Sequence, residues 1–159
     1  MRKIGIIAGD VSAVAELLDS KTSEAIWEAL PIENTVNTWG GEIYFDIPVK
    51  STLDETAKEV VEKGDLGYWP TGKAFCIFFG PTPASHGDEI RPASAVNIVG
   101  RVEGDVEMFK SVRDGTIIKL ERYRINHVKS FIRNRNRRDS CRLYRTRSKT
   151  DGRTVCSAG

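Results

Sequence analysis

Apolar and polar residues alternate with a period of two through much of residues 1–121, and that pattern predicts a chain built mainly from short strands. Lys3–Ala8 reads as a first strand, Gly9-Asp10 as a hairpin turn and Val11–Leu18 as its partner. Asp19-Ser20 then offers a helix N-cap, with Glu24 in the first turn where a carboxylate suits the helix dipole. The helix is predicted over Thr22–Leu30, with Ala25, Ile26, Ala29 and Leu30 on one stripe, and Pro31 ends it. In Glu42–Val49 the apolar Ile43, Phe45 and Ile47 alternate with Glu42, Tyr44 and Asp46, so the second set should share one outward face. Residues 54–62 fit a helical turn or a strand entering a turn. Leu66–Trp69 is a short apolar piece between turns. Ala74–Phe79 is apolar at every position, as in a strand covered on both sides. A long Pro- and Gly-rich loop, Gly80–Pro92, precedes another alternating strand, Ala95–Val102, with Val96, Ile98 and Val102 on one face and Asn97 and Arg101 on the other. Asp105 can cap a short helix reaching Val112, and Thr116–Glu121 is the last strand. Short strands at regular turn spacing, with two short helices, predict an antiparallel β-barrel rather than βαβ units.

Charge divides the chain. Residues 1–120 hold 12 Lys and Arg against 19 Asp and Glu, a net charge of −7, whereas residues 121–159 hold 12 against 3, a net charge of +9. The second stretch has few apolar residues and no lasting period, so it buries too little to offset its ordering entropy. The expected organisation is a barrel domain over 1–121 and a disordered Arg-rich tail over 122–159, with a short helix over 125–132 as the one element it suggests. Arg133 to Arg147, interleaved with Phe131 and Tyr144, could hold nucleic acid by counterion release and stacking, and through the tail only; the competing reading is a disordered extension with non-specific affinity for polyanions. No stretch approaches the roughly 18 apolar residues of a membrane helix. Cys76, Cys141 and Cys156 are scattered and form no metal-ligand spacing with His86 or His127. The expectation is no metal, no cofactor and a reducing, cytoplasmic setting. The start, MRKIGIIAGD, has an apolar run too short for a secretion signal and reads as the first strand.

Four stretches carry a resemblance: LLDSKTSEAIWEALP, WGGEIYFDIPV, GDLGYWPTGKAFCIFFGPTPAS and IRPASAVNIVGRVEGD. Together they span nearly all of residues 1–121 and resemble the small prokaryotic cyclophilin-like family. The resemblance implies a closed eight-stranded barrel with a helix at each end, and it implies no particular reaction. In cyclophilins that isomerise prolyl bonds, the site resembles Arg-x-x-x-x-Phe-x-x-Gln beside an aromatic cradle. The strand Ala74–Phe79 has no arginine at its start and no glutamine at its end, so the isomerase residues are not found here.

The leading functional expectation is a binding module with a groove on the outer face of the barrel, taking a small molecule or an extended peptide. Tyr68, Trp69 and Pro70 lie where a strand meets a turn, and Tyr and Trp suit surfaces that are apolar on one side and wet on the other. The loop Phe79–Ser85 is stiffened by Pro81 and Pro83, and stiff loops on a rigid scaffold are common binding sites. The expected lining is Tyr44, Tyr68, Trp69, Thr82 and Pro83. Arg91 could supply a planar fork for an anion, or an ion pair to Asp88, Glu89 or Glu42, and Asn97 a polar fixing point. Glu42, beside Trp39-Gly40-Gly41, is the candidate catalytic residue if the groove runs acid–base chemistry or a divergent isomerisation. A solvated strand face is the competing reading for Glu42, Tyr44 and Asp46. The protein is expected as a monomer or weak homodimer.

Overall fold

The computed structural model describes residues 2–124. The expectations for the tail from 125 onwards, namely disorder, the helix over 125–132 and the nucleic-acid surface, lie outside the described residues, as do His127, Cys141 and Cys156.

The chain opens with a hairpin of β1 (Arg2–Ala8) and β2 (Val11–Leu17), turned at Gly9, whose φ of 58° is the left-handed region that glycine adopts freely. Helix α1 (Lys21–Ala29) follows, capped by Ser20, whose side chain accepts from the Ser23 amide at 3.2 Å. Ile26 is fully buried in the barrel core, and the Ser23 hydroxyl donates to the Val99 carbonyl at 2.9 Å, which fastens the helix to the sheet. After it come β3 (Ile32–Thr35), β4 (Asn37–Trp39), β5 (Glu42–Asp46), the two-residue β6 (Ala57–Lys58), β7 (Asp65–Trp69), β8 (Ala74–Phe78), β9 (Val96–Val102) and β10 (Ile117–Arg122).

The strand order is β3-β10-β1-β2-β9-β7-β8-β5-β4, all antiparallel, with β6 attached to β9 outside that path. Nine strands thus make a nearly closed barrel. The two ends of the order are neighbours in sequence: β3 bonds to β10, and after Val36 the same segment bonds to β5 as β4. One bent segment therefore spans the seam, and the Asn34 side-chain amide donates across it to the Asp46 carbonyl at 2.9 Å.

This seam is where sequence and structure part. No strand was expected between Pro31 and Glu42. IENTVNTW alternates weakly, and most of its side chains are exposed or half-buried because the segment lies over the seam rather than inside a sheet. The count is nine barrel strands rather than about eight, and one α-helix rather than two. The second expected helix is a 3₁₀ turn, Glu107–Ser111, preceded by Asp105, whose carboxylate accepts from the Glu107 amide at 2.9 Å. It delivers Phe109, fully buried, to a tilted contact with Phe79 at 6.4 Å between centroids. The ambiguous residues 54–62 form no helix; they are irregular chain apart from β6 and an isolated antiparallel bridge of Val61 to Ile90.

The strand face assigned to β9 also needs correction. Val102 lies in the barrel core together with Val99, but Val96 and Ile98 belong to a separate apolar cluster on the outer face. A register shift against β7 between Leu66 and Gly67 is the cause, because one extra residue reverses every side chain beyond it. That outer cluster, with Cys76, Phe78, Val61 and Ile90, explains why β8 is apolar at every position. Phe75 and Ile77 face the barrel interior, and Cys76 and Phe78 face the outer layer.

Candidate functional site

The outer layer leaves a cavity. β4 and β5 turn through Gly40-Gly41, which places Trp39 directly opposite Glu42. Two residues along β5, Tyr44 stands on the same face, opposite Cys76 of β8. Across β8, Trp69 of β7 pairs with Ala74. Trp39, Glu42, Tyr44 and Trp69 line a cavity of about 210 Å³. Pro92 and Ala93 of the long loop and Val96 of β9 complete its wall. Glu42 is its single charged lining group.

Each wall is held in place. The Trp69 indole donates to the Ser94 hydroxyl at 2.6 Å, and its ring lies so close to Gly72 that a Cβ there would sit 2.6 Å from it. Gly67 lacks a side chain where Phe78 and Val96 close over the strand; a Cβ would stand 3.0 Å from both. The long loop is tied across its base. The Thr82 hydroxyl bonds the Arg91 carbonyl, and the Ser85 hydroxyl accepts from the Thr82 and Arg91 amides at 2.9 and 3.0 Å. This clasp brings Pro92 and Ala93 to the cavity. On its other side, the Gly41 amide donates to the Pro81 carbonyl at 2.8 Å.

Glu42 is only 6% exposed and forms no ion pair among the described residues. Burial pushes its carboxyl up to about 7, against a weaker opposing influence from the neighbouring Cys76 thiol. Burial, with Glu42 beside it, pushes the Cys76 thiol well above its ordinary value, so it stays protonated. A carboxyl of this kind exchanges a proton near neutrality and can either donate a hydrogen bond or present a negative charge. The solvated-face reading holds for Asp46, which is exposed, and not for Glu42.

The remaining candidates separate from this cavity. Tyr68 points into the barrel, fully buried; its hydroxyl donates to the Val49 carbonyl at 2.5 Å and accepts from the Ser51 amide at 3.2 Å. Asn97 is also fully buried. It accepts from the Asp54 amide at 2.9 Å and donates to the Thr52 carbonyl at 2.8 Å and the Thr22 hydroxyl at 3.2 Å, which pins the segment after β5. Arg91 pairs with Glu89 at 3.0 Å, which lowers that carboxyl. Thr82 belongs to the loop clasp, and Pro83 packs against Gly40 on an exposed turn. Sequence reasoning missed Pro92, Ala93 and Val96 as lining, and it placed Trp39 among the chain's aromatic residues and beside Glu42 without assigning it to the groove. The Gly40-Gly41 pair was the available signal: a two-glycine hairpin turn sets Trp39 opposite Glu42.

A second, more open cavity of about 380 Å³ lies beside the same turn, lined by Thr38, Gly41, Phe79, Gly80 and Lys110 among others. Its one charged group, Lys110, already pairs with Glu107. No group of three or more His, Cys, Asp or Glu residues suited to a metal occurs among the described residues. No described helix is long and apolar enough to cross a membrane.

A search of curated proteins gives no match. Among solved structures, the chain is similar to the solution structure of a hypothetical protein from Archaeoglobus fulgidus. The two share 44% identity over 77% of this chain and 95% of that one, with a TM-score of 0.68. The model of the family described as Cyclophilin-like matches residues 2–121, the whole of the barrel except its last strand residue. The chain belongs to the cyclophilin-like family.

Proposed function

We propose that the protein binds a small molecule in the outer-face cavity, with the ligand's apolar part against Trp39, Tyr44 and Trp69 and a polar group at Glu42. One observation carries this reading: a nearly buried carboxyl without an ionic partner lines a hollow whose other walls are aromatic and aliphatic. Burying such a carboxylate without a counter-ion costs folding free energy, a pattern typical of binding sites rather than of packed surfaces. The hollow, at about 210 Å³, suits a small molecule or one side chain better than a long extended peptide.

A fragment set titrated against the protein, followed by tryptophan fluorescence, tests the reading. Trp39 and Trp69 line the cavity, whereas Trp27 stacks against Arg122 on α1, with 4.7 Å from the guanidinium to the ring centroid. Binding should change the emission of the native protein, and Trp69→Phe should diminish that change. No response from any fragment at millimolar concentration would count against the site.

Acid–base catalysis in the same cavity is the second reading, favoured by a Glu42 carboxyl that titrates near 7. A protease-coupled assay on proline peptides, run beside Glu42→Gln, tests it. Turnover that survives the substitution removes Glu42 from any mechanism.

A further inference from the structure

We propose that the ligand of this cavity is an organic cation: an ammonium group held at Glu42, with an apolar arm lying between Trp39, Tyr44 and Trp69. The inference rests on the binding reading above and specifies its ligand class.

Glu42 is the one charged group in the lining and has no cationic partner among the described residues. An uncompensated carboxylate at this depth can be relieved by taking a proton or by receiving a cation. The surrounding groups favour the cation. Two indoles and a phenol line the hollow, and the faces of such rings attract ammonium groups most strongly where water is excluded. An anion would meet the Glu42 charge with no basic residue to offset it, since Arg91 is engaged by Glu89 outside the lining. The Trp69 ring is held by Ser94 and Gly72 before any ligand arrives, so little ordering is lost on binding.

The proton balance follows. The titratable group beside Glu42 is the Cys76 thiol of β8; Tyr44 of β5 lines the same hollow, and Trp39 of β4 and the loop residues Pro92 and Ala93 add no titratable group. Cys76 remains a thiol. Below neutrality Glu42 holds a proton in the free protein, and an arriving ammonium displaces it to solvent. Amine binding therefore weakens about tenfold per pH unit below about 7. A ligand that accepts a hydrogen bond from protonated Glu42 shows the opposite trend.

Phenethylamine and its neutral counterpart 2-phenylethanol, titrated calorimetrically into the full chain, separate the possibilities. The amine should bind about tenfold or more tightly than the alcohol at about pH 8. At about pH 6, comparing two buffers of unlike ionisation enthalpy should show release of nearly one proton per amine bound. Glu42→Gln should bring the amine down to the affinity of the alcohol. The pH trend of the native protein stands independently of that variant's folding. Alcohol binding as tightly as amine, or amine affinity that rises on acidification, overturns the cation inference and leaves the binding site in place. If neither compound binds at millimolar concentration, both the inference and the site fall.

Discussion

Trp39 and Glu42 face each other across the β4–β5 hairpin, so an indole and a nearly buried carboxyl share one face of the barrel. The pairing follows from the Gly40-Gly41 turn, with Gly40 at a φ of 59°, and from the seam segment whose second half is β4. The strand that closes the barrel is thus also the strand that walls the cavity.

Glu42 should make stability depend on pH in an unusual direction. Its ordinary carboxyl value is 4.5, and in the folded protein it is raised to about 7. Between those values the folded state binds the extra proton, so the contribution of Glu42 is most favourable below the lower value and declines as pH rises through the higher one. Glu42→Gln removes this decline. Its stability relative to the native protein should improve by about 3 kcal/mol between the two limits. Urea unfolding of both proteins from about pH 4.5 to about pH 8 measures it, and a flat difference would contradict a buried, titrating carboxyl.

Asn97→Ala should destabilise the fold by about 2–3 kcal/mol, because buried groups lose partners that no water replaces. The three bonds of Asn97 all reach residues of α1 or the segment after β5, at Thr22, Thr52 and Asp54. Amide exchange should accelerate first over residues 49–56. An exchange pattern changed only at the Trp39–Glu42 hairpin would assign Asn97 to the cavity instead.

What the sequence disclosed and what it concealed follow one physical rule. Period-two alternation locates a strand buried on one face, and so β1, β2, β5 and β10 were legible. The apolar run of β8 announced cover on both sides, which the inner and outer clusters provide. The seam strands were not legible, because a segment that changes partner at Val36 has no single buried face to write into its pattern. Of the site, Glu42, Tyr44 and Trp69 were readable as members of outward faces or strand ends. Asn97 was readable as a residue that satisfies nearby backbone, but its partners at Thr52 and Asp54, like those of Tyr68 at Val49 and Ser51, lie in irregular chain that no period describes. The facing of Val96 depended on an extra residue, Val99, that β9 carries opposite the Leu66–Gly67 step of β7, and no period in β9 marks it.

Two neighbouring glycines should respond unequally to alanine. A Cβ on Gly41 would stand 2.2 Å from the Gly80 carbonyl carbon, so backbone must move, whereas the nearest atom to a Cβ on Gly80 is 3.7 Å away. Gly41→Ala should cost about 3 kcal/mol and Gly80→Ala less than about 1 kcal/mol. Thermal unfolding of the pair checks this, and equal losses would contradict the close contact of hairpin and loop.

Ser94→Ala removes the hydrogen bond that fixes the Trp69 indole at 2.6 Å. The substitution should leave stability within about 1 kcal/mol and weaken ligand binding by freeing the ring. Fluorescence titration with phenethylamine reads the effect, and unchanged affinity would show that the position of Trp69 does not matter to the site.

The most direct measurement follows the side-chain carboxyl carbon of Glu42 by NMR across a pH titration of the full chain, without ligand and with phenethylamine. The midpoint should lie near 7 in the free protein and move down when the amine is bound. A midpoint at the ordinary carboxylate value in both samples would place Glu42 in open water and contradict the account.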